Sequence, residues 1–252
     1  MKKITFFLAA LLTFSAAHGQ DKSTVETTIH LMGDSTMAEK DLSKGSPERG
    51  WGMFFGEYFD ESVRVVNYAK NGRSTLSVRT EGIWDRVKAA LKPGDWLFIE
   101  FGHNDEKLNK PGIGVEARGG YQQNLRDFIS AAREAGATPV LLTPVARRKF
   151  VNGVLDETTH GDYPAAMKEV ALETGTILID MEKATIDWIK AAGDEASKPY
   201  FMWLEPGACE AYPEGRQDDT HSTTLGARRN CEIVCDSIKV KIPDLAKRLA
   251  NQ

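Results

Sequence analysis

The chain has 252 residues, 41% of them hydrophobic and 27% charged, with 22 glycines and 10 prolines. That composition excludes a low-complexity, collagen-like or disordered chain, and it supplies a core that needs neither disulfides nor a metal. A net charge of −4 argues against a dedicated nucleic-acid binder, which carries a basic excess on one face.

In chain order, the first feature is an export signal. Lys2 and Lys3 form a positive start, Ile4 to Phe14 an apolar run, and Ala17-His18-Gly19 the small residues a signal peptidase reads. The run is shorter than the ~20 residues of a membrane span. Cleavage after Gly19 is therefore expected, giving an exported protein, periplasmic or secreted, with no membrane contact; an uncleaved anchor is the alternative. Removing residues 1–19 takes two lysines and no acids, so the net charge falls from −4 to −6. Such a surface does not steer polyanions, so any recognition of them has to be local.

Residues 20–252 read as a single domain in which short apolar runs alternate with amphipathic stretches. Strands are expected at Thr28–Met32, Val63–Asn67, Trp96–Phe101, Pro139–Thr143 and Thr176–Ile179. Several are unbroken apolar runs, as suits strands covered on both faces. Helices are expected near Gly50–Phe59, Val78–Leu91, Tyr121–Ala135, Tyr163–Glu173, Ala184–Ala192 and Thr224–Lys239. Lys92-Pro93-Gly94, Gly136 and Gly175 supply stops. The alternation implies an α/β fold, a three-layer α/β/α sandwich around a mainly parallel five-stranded sheet, flavodoxin-like in outline. Ligands of such sheets sit outside the carboxyl ends of the strands.

The residues after those ends are the informative ones. Gly33-Asp34-Ser35-Thr36 follows the first strand, with Ser35 either an ordinary turn residue or a nucleophile. Ala69-Lys70-Asn71-Gly72-Arg73-Ser74 follows the second, where Gly72 can aim its N–H into a site. Gly102-His103-Asn104-Asp105 follows the third, and Asn104 can donate to an oxyanion or form an Asx turn. Near the C-terminus stands Asp218-Asp219-Thr220-His221. Its spacing lets a carboxylate reach Nδ1 of His221 and leave Nε2 to take a proton from Ser35; Asp219 is the alternative to Asp218. A metal reading of the same residues lacks a further ligand cluster. Cys209, Cys231 and Cys235 are an odd set. Cys231 and Cys235 share a helix face, and Cys209 either pairs with one of them or all three are small apolar side chains.

The order Ser35, Gly72, Asn104, then Asp218-x-x-His221 resembles the SGNH hydrolases, also called GDSL esterases, over essentially the whole mature chain. The resemblance implies Ser35 as nucleophile, His221 as base and Asp218 as its orienting acid. It implies an oxyanion hole made by the Ser35 and Gly72 backbone N–H groups and the Asn104 amide. Gly33-Asp34-Ser35-Thr36-Met37-Ala38, Asn71-Gly72-Arg73-Ser74, Glu100–Asp105, Asp218–His221 and Thr159–Pro164 are similar to the rhamnogalacturonan acetylesterase branch. That likeness implies removal of acetyl groups from pectic polysaccharide, so the expected partner is an acetylated polysaccharide or oligosaccharide. Two-step acyl transfer of this kind needs no cofactor or metal, and a monomer is expected. Arg73, His160 and Trp203 are candidate substrate contacts; Arg147 and Arg148 are further candidates for uronate carboxylates, and Trp51, Tyr200 and Tyr212 for sugar stacking. The alternatives are an acetylesterase for xylan or an envelope sugar, a lipid or aryl esterase of the same superfamily, and a carbohydrate-binding module with vestigial motifs.

Overall fold

The computed structural model describes residues 1, 25–43 and 45–250. Apart from Met1, the expected export signal lies outside the described residues. The elements run Thr27–Gly33 (β1), Val63–Asn67 (β2), Thr75–Thr80 (α1), Ile83–Ala90 (α2), Trp96–Glu100 (β3) and Gln122–Glu134 (α3). They continue with Thr138–Leu142 (β4), Phe150–Val151 (β5), Val154–Leu155 (β6), Tyr163–Thr174 (α4), Ile177–Ile179 (β7), Met181–Ala192 (α5) and Asp194–Ser197 (α6). Phe201–Leu204 (β8), Arg216–Ser222 (β9), Thr224–Lys241 (α7) and Pro243–Ala246 (α8) complete them.

Five strands form one sheet in the order β2-β1-β3-β4-β7, every neighbour parallel. Alternate side chains point to opposite faces of each strand. Ile29 and Leu31 of β1, Phe98 of β3 and Val140 and Leu142 of β4 pack on one side with Trp51, Phe55 and the α7 residues Ala227, Cys231 and Val234. Leu97 and Ile99 of β3 and Leu141 of β4 pack on the other with Val87, Leu125, Phe128 and Val170 of α2, α3 and α4. Each large side chain taken out of water contributes on the order of 1.5–3 kcal/mol, so the two apolar layers make this the expected three-layer sandwich. From β1 the chain steps to β2 on one side and returns to β3 on the other. That switch point opens a crevice at the strand ends.

Three expectations are corrected. Gly50–Phe59 is two 3-10 turns, Trp51–Met53 and Phe55–Tyr58, rather than an α-helix. Gly50 lies so close to the neighbouring segment that a Cβ there would sit 2.1 Å from the Ala38 carbonyl oxygen, so packing of backbone on backbone sets the path. The helix expected over Val78–Leu91 is two helices, broken at Gly82 with φ +69°. Two hairpins, β5–β6 and β8–β9, were not expected. The cysteines are free: Cys231 and Cys235 are buried on α7, and Cys209 pairs with neither. The Cys231 thiol donates instead to the Trp51 carbonyl, at 3.1 Å.

Candidate active site

Ser35 stands just past the end of β1, in a turn built by its neighbour. Asp34 Oδ1 accepts from the Thr36 N–H at 3.0 Å and from its hydroxyl at 2.9 Å. The Asp34 carbonyl takes the N–H groups of Met37 and Ala38. Such an Asx turn fixes the chain after a strand, and it leaves the Ser35 N–H with no acceptor among the described residues. Gly72 stands at φ +76° with open space where a Cβ would lie, so backbone conformation rather than crowding calls for glycine. Side chains stitch the three loops together. Lys40 Nζ donates to the Ser35 carbonyl at 2.6 Å and to Asn71 Oδ1 at 2.7 Å. Asn104 Nδ2 donates to the Arg73 carbonyl at 2.9 Å, and its Oδ1 accepts from Lys107 Nζ at 2.6 Å. Ser35, Gly72 and Asn104 thus share one rim, with the second Asn104 N–H left over for a ligand.

Asp218 and His221 arrive on β9, not in a loop ahead of a helix. The pairing of β8 with β9 jumps from Met202–Asp218 to Phe201–Ser222, so residues 219–221 bulge out of the ladder. Asp218 Oδ1 accepts the N–H groups of Thr220 and His221 at 2.8 and 2.9 Å. Its Oδ2 lies 2.8 Å from His221 Nδ1, and His221 Nε2 lies 3.0 Å from Ser35 Oγ. A carboxylate only accepts, so Nδ1 carries the proton and Nε2 is free to receive one from the hydroxyl. Burial on its own would raise the Asp218 carboxyl; the hydrogen bonds from His221 and Thr220 outweigh it and hold the group well below the usual carboxylate range. Asp219 is committed elsewhere: its Oδ1 accepts from Arg148 and from Trp203 Nε1, both at 2.8 Å. Asp218, not Asp219, therefore orients His221.

Beneath Ser35 lies a buried polar layer. The Thr36 hydroxyl also meets Glu100 Oε1 at 2.7 Å, and Trp51 Nε1 donates to Glu100 Oε2 at 2.6 Å. Burial, reinforced by the Asp34 carboxylate, pushes Glu100 well up from its ordinary value. Burial opposes the charge on Asp34 too, but the His103 ring and the Thr36 bonds outweigh it and lower that carboxyl. His103 Nδ1 is 3.4 Å from Asp34 Oδ2, and burial pushes its imidazole down to about 4. Burial likewise pushes Asp105, which accepts from Thr75 N at 2.9 Å, up to about 7. Asp34, Glu100 and His103 are the described group whose ligand atoms lie close enough to hold a cation, although both Glu100 oxygens already have partners in Thr36 and Trp51.

The remaining expected contacts fare differently. Arg73 is partly exposed and pairs with Glu81 at 2.8 Å. His160 is buried, its Nε2 donating to the Val145 carbonyl at 2.9 Å, so the structure does not put it on a groove. Arg148 is buried too, tied to Ser197, Asp194 and Asp219. Trp203 has Arg148 and Lys198 cations each 4.7 Å from its ring centre, which occupy its stacking surface. Trp51 is wholly inside the core. Tyr212 does border a hollow of about 270 Å³, with Lys40, Glu48, Asn71 and Ala211. Through Lys40 this hollow adjoins Ser35; larger hollows of about 560 and 740 Å³ lie elsewhere and include none of these residues. Lys40, Glu48, Lys107 and Arg216 were not singled out from sequence, and Glu100 entered only as the first residue of the Glu100–Asp105 motif, with no role of its own. Arg216 stands two residues before Asp218 on β9, and so on the same face of that strand.

The model of the GDSL-like Lipase/Acylhydrolase family matches residues 31–229. Rhamnogalacturonan acetylesterase RhgT of Bacillus subtilis is 39% identical over 211 residues, covering 84% of this chain and 89% of its own. The probable rhamnogalacturonan acetylesterase YesY of the same organism is 37% identical, covering 84% and 92%. Among solved structures, the Bacillus subtilis protein YxiM aligns with TM-score 0.71 and 25% identity, over 84% of this chain and 56% of that one. Axe2, an acetylxylan esterase from Geobacillus stearothermophilus, has the same fold at TM-score 0.59 and 17% identity, over 86% and 96%.

Proposed function

The chain belongs to the GDSL-like lipase/acylhydrolase family, and on that premise we propose that it is a carbohydrate O-acetylesterase acting on rhamnogalacturonan through Ser35, His221 and Asp218. One observation carries the chemistry: an unbroken hydrogen-bonded chain from Ser35 Oγ through His221 to the Asp218 carboxylate. The two relatives at 39% and 37% identity support the substrate.

The mechanism follows from the positions of the atoms. His221 Nε2 takes the hydroxyl proton as Ser35 Oγ bonds to the acetyl carbonyl carbon. The carbonyl oxygen becomes an oxyanion, met by the Ser35 and Gly72 N–H groups and the spare Asn104 N–H. Collapse breaks the bond to the sugar oxygen, which leaves with the proton from His221. Water, deprotonated by the same imidazole, attacks the acetyl-enzyme; acetate departs and Ser35 regains its proton. Asp218 keeps the imidazole in the right tautomer throughout. The hollow at Tyr212 suits the departing sugar, and Arg73, beside Gly72, is the cation we assign to a uronate carboxylate. We also assign the chain to export, with cleavage after Gly19, and to a monomeric form.

The test is acetate release from acetylated rhamnogalacturonan, xylan and long-chain esters, by the parent and by Ser35→Ala. Rhamnogalacturonan should be the fastest substrate, and the variant should lose about 10⁴-fold or more while keeping its fold. Retention of near-parent turnover by the variant would overturn the mechanism; preference for xylan would overturn the substrate.

A further inference from the structure

Beyond the three side chains of that mechanism, a second set of charges runs from Asp218 back to Ser35. Arg216 Nη2 pairs with Asp218 Oδ2, the oxygen that also takes His221 Nδ1. Arg216 Nη1 reaches Glu48 Oε2 at 3.2 Å. Glu48 Oε1 lies 2.8 Å from Lys40 Nζ, and Lys40 Nζ donates to the Ser35 carbonyl at 2.6 Å. With His221 on Ser35 Oγ, the path closes into a ring.

We propose that Lys40, Glu48 and Arg216 are positioning residues for the reaction: a charged strap that holds the Ser35 turn and the Asp218–His221 bulge in one frame and balances the charge on the base. The proposal rests on the mechanism above, since a strap matters only if Ser35 and His221 react. The two ends it joins come from opposite ends of the chain and from different structural layers. Ser35 follows β1 of the main sheet, whereas Asp218 and His221 belong to a separate two-stranded hairpin. The main sheet's ladder therefore does not register the base against the nucleophile. A backbone bond adds to the registration: Arg49 N donates to the Ser222 carbonyl at 2.8 Å, one residue past His221.

The strap is not a set of solvated surface pairs, which are worth little. The Lys40 side chain is 4% exposed and that of Glu48 13%. Arg216 is further fixed by the Tyr212 hydroxyl at 2.5 Å and by the Tyr212 ring, 4.7 Å from its guanidinium carbon. Lys40 also holds Asn71, next to Gly72, so the strap reaches the loop that presents the oxyanion donor. A misplacement of about 1 Å among reacting groups costs on the order of 10²-fold in rate.

Charge makes the role testable. The charged groups set against Asp218 and His221 are Arg216, on Asp218 Oδ2, and Glu48, close enough to His221 to interact with its charge; Lys40 faces Glu48, the Arg49 guanidinium turns to the Ser46 and Glu48 carbonyls, and Asp219 turns to Arg148. Arg216 opposes a positive imidazolium, and Glu48 favours it. Neutralising each should therefore displace the acid limb of the activity profile in opposite directions.

The experiment measures kcat and KM for acetate release across pH with Arg216→Gln, Glu48→Gln and Arg216→Lys, alongside thermal unfolding of each. Arg216→Gln should lower kcat about tenfold with KM nearly unchanged, and move the acid limb to higher pH. Glu48→Gln should move it to lower pH. Arg216→Lys, which keeps the charge, should restore the parent profile with only part of the rate. Opposite displacements support the strap even if a variant melts earlier. Limbs that coincide with the parent, or both move the same way, overturn it. Loss of all activity in Ser35→Ala tests the underlying mechanism separately, so the strap can fail while that mechanism stands.

Discussion

Two carboxylates flank the turn that carries Ser35, and their surroundings are opposites. Asp218 stands at a half-open rim among His221, Arg216 and two backbone N–H groups. Glu100 lies beneath the turn at the end of β3, fully buried, facing Thr36, Trp51 and a second carboxylate. At the rim, donors and cations outweigh desolvation, and the acid is held ionised. In the layer below, no cation among the described residues pairs with Glu100, so burial wins and the proton is kept. Thr36 shows why this suits the site. Its one hydroxyl proton goes to Asp34 Oδ1, leaving its oxygen to accept from a protonated Glu100. One face of the turn thus faces charge that acts in the reaction, and the other a neutral network that sets its shape.

The sharpest way to break this contrast is to swap each acid for its amide. Asp218→Asn should lower kcat by about 10⁴-fold, because the imidazole is then held in the wrong tautomer. Glu100→Gln should change kcat by no more than about threefold, since the amide N–H can replace the carboxyl O–H toward Thr36. Equal losses in the two variants, read in the same acetate assay, would erase the distinction between rim and layer.

A smaller effect probes the rim alone. Asn104→Ala should cost about 10²–10³ in kcat with little change in KM, because the missing N–H acts mainly on the oxyanion. A change confined to KM would place Asn104 among groups that hold the ground state instead.

The smallest effect sharpens the layer. The Glu100 carboxyl is raised in the folded state, so the fold binds its proton more tightly than the unfolded chain does. That contribution is complete below the ordinary value of 4.5 and is lost as pH rises from there through the folded value. Asp105, raised to about 7, acts with the same sign. His103, lowered to about 4, acts oppositely: its contribution is present above the ordinary 6.5 and is lost as pH falls toward 4. Denaturant unfolding over roughly pH 5 to 9 should therefore show a flatter decline with rising pH in Glu100→Gln than in the parent. Identical slopes would mean that Glu100 carries no proton linked to folding.

The sequence by itself determined the sheet. Runs such as Trp96-Leu97-Phe98-Ile99 are apolar on both faces, as suits covered strands, and their regular alternation with amphipathic segments points to a mainly parallel sheet. It also marked Ser35, Gly72 and Asn104, because each falls at a strand's carboxyl end, where local order along the chain sets position. Only the tertiary structure decided the rest. The roles of Asp218 and Asp219 turn on a three-residue bulge in β9 and on which neighbour Arg148 takes, and adjacent identical letters do not carry that information. In sequence His160 could equally line a groove or close a turn, and Trp203 could stack on a sugar or pack in a loop; long-range partners decide both. The Glu100 layer and the Lys40–Glu48–Arg216 strap join residues up to 168 positions apart. Burial and charge pairing at such separations have no periodicity to read; they exist only once the chain has closed on itself.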